Sequence, residues 1–532
     1  MSKKVLKKES FMQGVFAIMM SQVLIKILGL VYKLYLTNKE GFGDSGNAIY
    51  SSGFQIYALL LTLSSVGVPN AISKLVSERL AIGDAKGAHR IFKVAFVIFS
   101  FIGGIGTLIL FYNAKYISNT MLQIPEAEYT LIALSPSIFF VSISSVIRGY
   151  FNGRQNLKAT ANSQTIEQLF KTALTIAIVA FIAKISSSNT ILMAAGANLA
   201  TTFSTFFSFS YLYLYYANRK NEIAADIKFT THHKKIRIKE IGYKILSASI
   251  PISLSSLMTV ITKNIDAVTV VSGLKNFMSD ELAKAQYGIL SGKVDTLIAL
   301  PLAFNIAFAT ALVPSISSAM AQGNIGKAKE KIEYSLLITM LIALPCTVGM
   351  FIFAKPILNL LFPNANRGEL LLQISSLTLV FTLLTQTING ALHGFGKTMV
   401  PAISLVFGVI AKLIINIILI PIPNFGVYGA AIGSVICNMI VFFIEIIVLK
   451  RHVGLNLEFN KFLVKPTIAT IMMAVISFCI YNFLNGIFQE QMATIISIGI
   501  GVIIYLIFLL ILKILSKEEI YMLSRNRKTE KR

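Results

Sequence analysis

The chain has 532 residues, of which 55% are hydrophobic and only 14% charged, and it carries a formal charge of +24. No soluble protein of this length has such a balance, so a large soluble domain is excluded. The surplus of Lys and Arg raises a nucleic-acid partner as a question, and the arrangement of those residues in short loops between apolar runs answers it against one.

Apolar runs long enough to cross a bilayer as helices recur along the whole length. Fourteen are predicted, at 11–36, 48–76, 91–113, 128–148, 157–183, 190–217, 243–272, 287–321, 332–354, 371–392, 398–420, 426–449, 466–484 and 492–513. The first follows a basic leader, MSKKVLKKES. It is too long for a signal-peptide core and precedes no small-residue cleavage site, so a retained helix is expected. With the N-terminus in the cytoplasm, one set of loops holds 34 of the 48 Lys and Arg residues and the opposite set holds 7. This is the positive-inside pattern, and it places both termini in the cytoplasm. The longest polar stretch, NRKNEIAADIKFTTHHKKIRIKE (218–240), reads as a solvated basic connector with six spans before it and eight after.

An internal repeat accompanies that division. IRGYFNG (147–153) resembles INGALHG (388–394) at an offset of 241, and the same offset carries Lys171 onto Lys412. GVPNAIS (67–73) resembles LVPSISS (312–318), and each is followed by a box on the same side, GDAKGA (83–88) and GNIGKA (323–328). Repeats in the same order on the same side are parallel, related by an axis along the membrane normal. The expected architecture is an all-α polytopic membrane protein with about 14 transmembrane helices. Two six-helix lobes (1–217 and 243–449) are joined by a linker (218–242). Two extra C-terminal helices (450–513) and a cytoplasmic tail (514–532) follow.

Charges at membrane depth are costly and mark function by default. Besides Lys74, near a span end, the bases are Lys26, Lys33, Lys171, Lys263, Lys293 and Lys412, and the acids Glu167, Asp266, Asp295 and Glu445. Glu167 and Lys171 are four apart, and Lys263 and Asp266 three apart, so each pair is expected to neutralise itself on one helix face. Lys293 and Asp295 must look elsewhere for partners, and Lys412 has only Asn416 within a turn. Lys26 and Lys33 are seven apart and therefore share a face, about 10 Å apart along the axis. Neither has a local carboxylate. Lys33, near the outer end of the span, is the one expected to reach the interface by snorkelling; Lys26 is close to mid-span.

No catalytic triad, dinucleotide fingerprint or metal cluster is present, and Cys346, Cys437 and Cys479 are scattered in apolar segments. GALHGFGKT (390–398) approaches the phosphate-loop pattern, but Gly390 is one residue too far from Gly396 and no strand precedes it. The chain is not expected to be an enzyme, and a channel or scaffold is disfavoured by the two-lobe repeat.

Four segments carry a family resemblance: SQVLIKILGLVYK (21–33), GVPNAISKLVSERLAIGDAKGA (67–88), IRGYFNGRQNL (147–157) and SGKVDTLIALPLAFNIAFATALVPSISS (291–318). With them, essentially the whole chain resembles the multidrug/oligosaccharidyl-lipid/polysaccharide exporter superfamily, on its lipid II flippase (MurJ) and stage V sporulation protein B branch. The resemblance implies a cationic central cavity that takes the diphosphate of an undecaprenyl-linked sugar, and a groove for the lipid tail at spans 13 and 14. Lys26, Lys33 and Lys293 would hold the diphosphate, with Lys263, Asp266, Asp295, Lys412, Glu167 and Lys171 as further cavity charges. Pro69, Pro314, Gly149 and Gly390 are hinge candidates. Members from Gram-negative bacteria carry an acid after the first outer turn and an arginine in span 2. This chain offers Asn47 at the acid position, with Asp44 nearby, and no base in span 2.

The expected activity is alternating-access transfer of a lipid-linked cell-wall precursor, lipid II first, across the bacterial cytoplasmic membrane. Another lipid-linked polysaccharide or a sporulation-specific unit is the first alternative, and a cation-coupled multidrug exporter the second. No cofactor is expected beyond coupling to Na+, H+ or the membrane potential. Expected partners are the lipid-linked oligosaccharide, the bilayer and other cell-wall synthesis proteins.

Overall fold

A computed structural model describes residues 11–62, 67–186, 189–228, 237–302, 324–397 and 399–514, with isolated positions 230, 305, 312, 316 and 320. Every regular element among them is helical. The reason is the solvent: hydrocarbon offers no partner for a backbone N–H or C=O, and a helix satisfies all of them within one segment. Ten helices among the described residues are long and apolar enough to cross a membrane.

The chain starts with α1 (Phe11–Asn38) and α2 (Gly43–Leu61). Span 2 was expected as one run over 48–76. Within it α2 is described to Leu61 and α3 (Val68–Ala81) from Val68, residues 63–66 lying outside the described residues; Pro69 sits in the first turn of α3, where a missing N–H does no harm. Next come α4 (Ala85–Tyr116), prolonged by a π-helical turn to Met121, then α5 (Ala127–Gly153), α6 (Lys158–Ile185) and α7 (Thr190–Asn218). The 218–242 stretch is not only a solvated connector. It contains α8 (Lys220–Lys228), whose Ile223 is buried in a cluster with Ile91, Leu212 and Ile241. After it come α9 (Ile238–Leu274) and α10 (Asp280–Gly288). The segment expected at 287–321 therefore starts seven residues earlier, and it passes through a π-helical turn, Ile289–Val294, before helix resumes over 295–302.

Six longer helices follow: α11 (Ile325–Ile352), α12 (Thr378–Gly394), α13 (Met399–Leu419), α14 (Val427–Val453), α15 (Lys465–Asn485) and α16 (Glu490–Ile511). Two short ones, Ala354–Leu361 and Glu369–Ser376, lie between α11 and α12.

By packing, the chain forms two units. One comprises residues 1–297 with 405–433, the other 298–404 with 434–532. In the first, Gly149 and Gly153 let α5 lie directly on α3. A Cβ on Gly149 would stand 2.9 Å from the Pro69 Cα, and one on Gly153 2.8 Å from the Ser73 carbonyl oxygen. The α5 helix runs unbroken through Gly149. In the second unit α15 and α16 pack together through Ala469, Met473, Tyr505 and Leu509, and the Tyr505 hydroxyl donates to the Leu341 carbonyl at 2.8 Å.

The repeated boxes do the same work in each half. Asp84 of GDAKGA caps α4 by accepting from the Gly87 N–H at 2.7 Å, and Asn324 of GNIGKA caps α11 by accepting from the Lys327 N–H at 3.0 Å. An N-terminal cap of either type contributes about 1 kcal/mol.

Polar pins repeat too. Arg148 of α5 donates to Ser163 at 2.9 Å, to Glu167 of α6 at 2.8 Å and to Ser208 of α7 at 2.9 Å. At the offset of 241, Arg148 becomes Asn389 and Ser163 becomes Ser404. Ser404 of α13 donates to Glu445 of α14 at 2.7 Å, and the Asn389 amide of α12, turned nitrogen-first, reaches Glu445 at 2.8 Å. Each half thus ties three successive helices at one level, with the acid supplied by a different helix.

Candidate functional site

Of the charges anticipated from sequence, all but Glu445 lie in the first unit, and their partners are not the local ones. Glu167 does not pair with Lys171; it takes the guanidinium of Arg148. Lys263 does not pair with Asp266. Its Nζ lies 3.4 Å from Asp295, while Asp266 accepts from Lys412 at 2.6 Å and from Asn416 at 3.0 Å. A local pair satisfies one helix, whereas a pair between helices also removes two buried charges from an interface that could not otherwise close. Lys412 is 3% exposed and Asp266 8% exposed, so this bond is out of water.

Lys293 has a strong partner as well. It is fully buried, donates to Asp44 Oδ2 at 3.1 Å and stands 2.9 Å from Oδ1. Asp44 sits in the first turn of α2, where a carboxylate also complements the helix dipole. The approach is close because the facing residues are glycines. A Cβ on Gly288 would lie 1.8 Å from the Asp44 carbonyl oxygen, and one on Gly292 2.4 Å from the Asn47 side chain.

A second set of bonds reinforces this end. Lys284 reaches Glu126 and Asp280, both at 2.6 Å. Lys275 pairs with Asp280 and donates to the Gln123 carbonyl at 2.8 Å. Burial would push the Asp280 carboxyl up, but hydrogen bonds from Lys275 and Lys284 hold it below the usual carboxylate range.

Among the described residues, Lys26, Lys33 and Lys171 are the membrane-depth cations without a carboxylate partner. The structure reverses the expectation for the first two. Lys33 is the buried one, at 9% exposure, and Lys26 is exposed. The Lys33 Nζ lies 4.4 Å from the Tyr50 ring centroid and 3.4 Å from the Ser51 hydroxyl. The Lys171 Nζ lies 4.4 Å from the Phe54 centroid and 5.4 Å from that of Tyr32. The Tyr32 and Tyr50 hydroxyls are 3.4 Å apart, so one aromatic cradle serves both ammoniums. A desolvated cation over an aromatic face gains about 2 kcal/mol, which offsets burial without cancelling the charge. Lys33 also feels the charges of Lys171, Asp295 and Lys263, and Lys26 that of Lys263. An anion entering beside α1 and α6 would meet net positive potential.

Gly390 is buried in α12, and Pro314 lies outside the described residues. Sequence reasoning named Asp44 beside Asn47 without its partner Lys293, and missed Arg148 and the Tyr32, Tyr50 and Phe54 cradle. Arg148 stood within the IRGYFNG repeat, but its partners come from other helices. Among the described residues no cluster of His, Cys, Asp and Glu could hold a metal ion.

The profile of the family described as polysaccharide biosynthesis protein matches residues 11–320, more than half of the chain, and the MatE profile matches 251–418. The chain belongs to the polysaccharide biosynthesis protein family. It is a multi-pass membrane transporter of the multidrug/oligosaccharidyl-lipid/polysaccharide exporter superfamily, on the branch that holds the lipid II flippase and stage V sporulation protein B, and not an enzyme. It is 24% identical to the lipid II flippase MurJ of Bacillus subtilis over 521 residues, covering 93% of this chain and 94% of that one. It is 25% identical to stage V sporulation protein B of the same organism, covering 96% and 97%. A solved structure of the lipid II flippase MurJ in an inward closed conformation superposes with a TM-score of 0.69 at 17% identity, covering 92% of this chain and 97% of that one.

Proposed function

We propose that the chain is a flippase for an undecaprenyl-diphosphate-linked cell-wall precursor, lipid II in the first instance. It would move the headgroup from the inner to the outer leaflet of a bacterial cytoplasmic membrane by alternating access. Both termini face the cytoplasm in this reading, and the moving parts are lobes 1–217 and 243–449, with 450–513 beside the lipid tail.

The observation that carries it is the pair Lys33 and Lys171, buried on a shared aromatic cradle with no carboxylate, and Lys26 exposed on the same helix as Lys33. A diphosphate is the complementary charge. Charge-assisted bonds from ammonium to phosphate oxygen are short and strong in a low-dielectric site, and Lys serves as a point-charge phosphate binder. Lys293, anticipated as a third ligand, is held by Asp44, so its role is closure of that end rather than first contact with substrate. Of the acids that could host a coupling cation, Asp266 is engaged by Lys412 and Asp295 by Lys263, whereas Glu445 is bonded by the Ser404 hydroxyl and the Asn389 amide. The membrane potential acting on the cationic surplus is one driver of return, and a cation or proton taken by Glu445 is the other. The same balance argues against export of cationic drugs, which calls for an acidic cavity. The likeness to stage V sporulation protein B supports a sporulation-specific lipid-linked unit as the second reading.

The test is complementation of a strain depleted of its lipid II flippase, together with an assay of lipid II accessibility at the outer face. Lys26→Ala and the double variant Lys33→Ala/Lys171→Ala should reach the membrane and fail to support growth. Full growth of the double variant would sink the assignment. Growth without restored lipid II accessibility would transfer it to another lipid-linked unit.

A further inference from the structure

Away from the central charges, α4, α7 and α8 enclose a cavity of about 440 Å³. Its lining includes His89 and Lys93 of α4, Tyr213 and Tyr216 of α7, and Lys220 and Ile227 of α8. Among the described residues no carboxylate lines it. The acids nearby are turned to other work: Asp226 pairs with Arg154, and Glu222 lies 3.8 Å from Arg219. His89 is held by rings rather than by hydrogen bonds. It stacks on Tyr216 with an interplanar angle of 8° and lies 5.8 Å from Phe92, and its Nδ1 is buried without a partner among the described residues. The cavity is therefore a pocket of cations and aromatic faces with an unsatisfied imidazole nitrogen in its wall.

Its surroundings define the ligand. It lies at the end of the spans where the loops rich in Lys and Arg gather (77–93, 148–158 and 218–244). From Lys93, the exposed residues Val97 and Phe101 continue at four-residue steps along one face of α4, at 69% and 70% exposure, with Leu108 further on. Tyr213 and Leu214 of α7 are exposed beside it. A charged headgroup pocket opening onto an apolar stripe fits an amphiphile, and the sign of the pocket requires that its head be an anion.

We propose that this pocket binds the headgroup phosphate of an anionic phospholipid, such as phosphatidylglycerol, at the cytoplasmic leaflet. Lys93 and Lys220 neutralise the phosphate, the His89 imidazole supplies a further polar contact, and the acyl chains follow Val97 and Phe101. α8 is then a lid tied to the membrane surface through its bound lipid, with Ile223 anchoring it to the helical core. The inference rests on the positive-inside orientation and not on which precursor is moved, so failure of the flippase assignment would leave it standing.

The experiment uses the full chain in zwitterionic detergent–lipid micelles, with phosphatidylglycerol or phosphatidylcholine added and thermal stability and native mass spectra recorded. Phosphatidylglycerol should stabilise the native chain and stay bound, and phosphatidylcholine should not. Two lysines near an anionic headgroup together amount to a factor on the order of thirty in affinity. Lys93→Ala/Lys220→Ala should show that loss and one fewer retained lipid. Both side chains are exposed, so the variant should fold. Lys244→Ala, an exposed lysine paired with Glu240, should behave like the native chain. Retention of phosphatidylglycerol by the double variant, or an equal loss in Lys244→Ala, would overturn the proposal. Full competition by soluble glycerol phosphate at matched concentration would also overturn it, because the pocket would then serve a soluble anion.

Discussion

The Lys293–Asp44 pair predicts an asymmetric response to mutation. At 2.9 Å and an effective dielectric of about 20, the attraction between the two charges is about 6 kcal/mol. Desolvation offsets part of this, and removing one partner of a buried pair costs about 3–5 kcal/mol. The two removals are not equivalent. Asp44→Asn takes the carboxylate from an ammonium with no exposed surface, whereas Lys293→Met takes the ammonium from a carboxylate whose side chain is 13% exposed and can recruit water. Asp44→Asn should therefore be the more destabilising, and Lys293→Met/Asp44→Asn should return to within about 1–2 kcal/mol of the native chain. The assay is the monodisperse fraction of detergent-solubilised protein after heating, measured for all four proteins as a double-mutant cycle. Additive losses, with the double variant the least stable, would refute the reasoning.

Arg148→Lys should cost about 2–3 kcal/mol, because one ammonium cannot replace a guanidinium that bonds Ser163, Glu167 and Ser208 together; the same heating assay reads it. Gly288→Ala should lower stability by at least about 1–3 kcal/mol by driving a methyl into the Asp44 carbonyl. Gly349→Ala, in α11 with nothing within 4 Å of the added carbon, should be neutral or stabilising by up to about 1 kcal/mol; equal effects would contradict the packing argument. The Asp280 carboxyl is depressed, so its bonds contribute fully above about pH 4 and are lost as the pH falls through the lower native value. Protease resistance of the 275–284 segment should hold at pH 5 and fail only below about pH 4; exposure already at pH 5 would contradict this.

Much of the architecture was legible because the bilayer imposes it. Apolar length gave the helices, and the repeated segments IRGYFNG/INGALHG (offset 241) and GDAKGA/GNIGKA (offset 240) contain Arg148, Asn389, Asp84 and Asn324, whose bonds only the structure shows. The charges were legible in kind but not in pairing. Glu167 and Lys171, or Lys263 and Asp266, look like natural partners along one helix. The sequence carries no record of the distance from Asp266 to Lys412 or from Lys293 to Asp44, and those cross-helix bonds win because they also close an interface. The depths of Lys26 and Lys33 were misjudged for a related reason. Position along a span says how far a residue lies from water, but only the neighbouring α2 rings reveal that Lys33 is covered.

The aromatic cradle has one more consequence. Among the described residues, Asp44, Glu167, Asp266 and Asp295 of the first unit are each committed to a cation, and the membrane-depth cations without a carboxylate sit on α1 and α6. An anionic ligand would therefore be passenger to one helix pair instead of being shared among several. Its grip and the opening of the Lys293–Asp44 end become separable properties. Changes at Asp44 would set how often a headgroup crosses, and changes at Tyr50 or Phe54 would set how long it stays aboard.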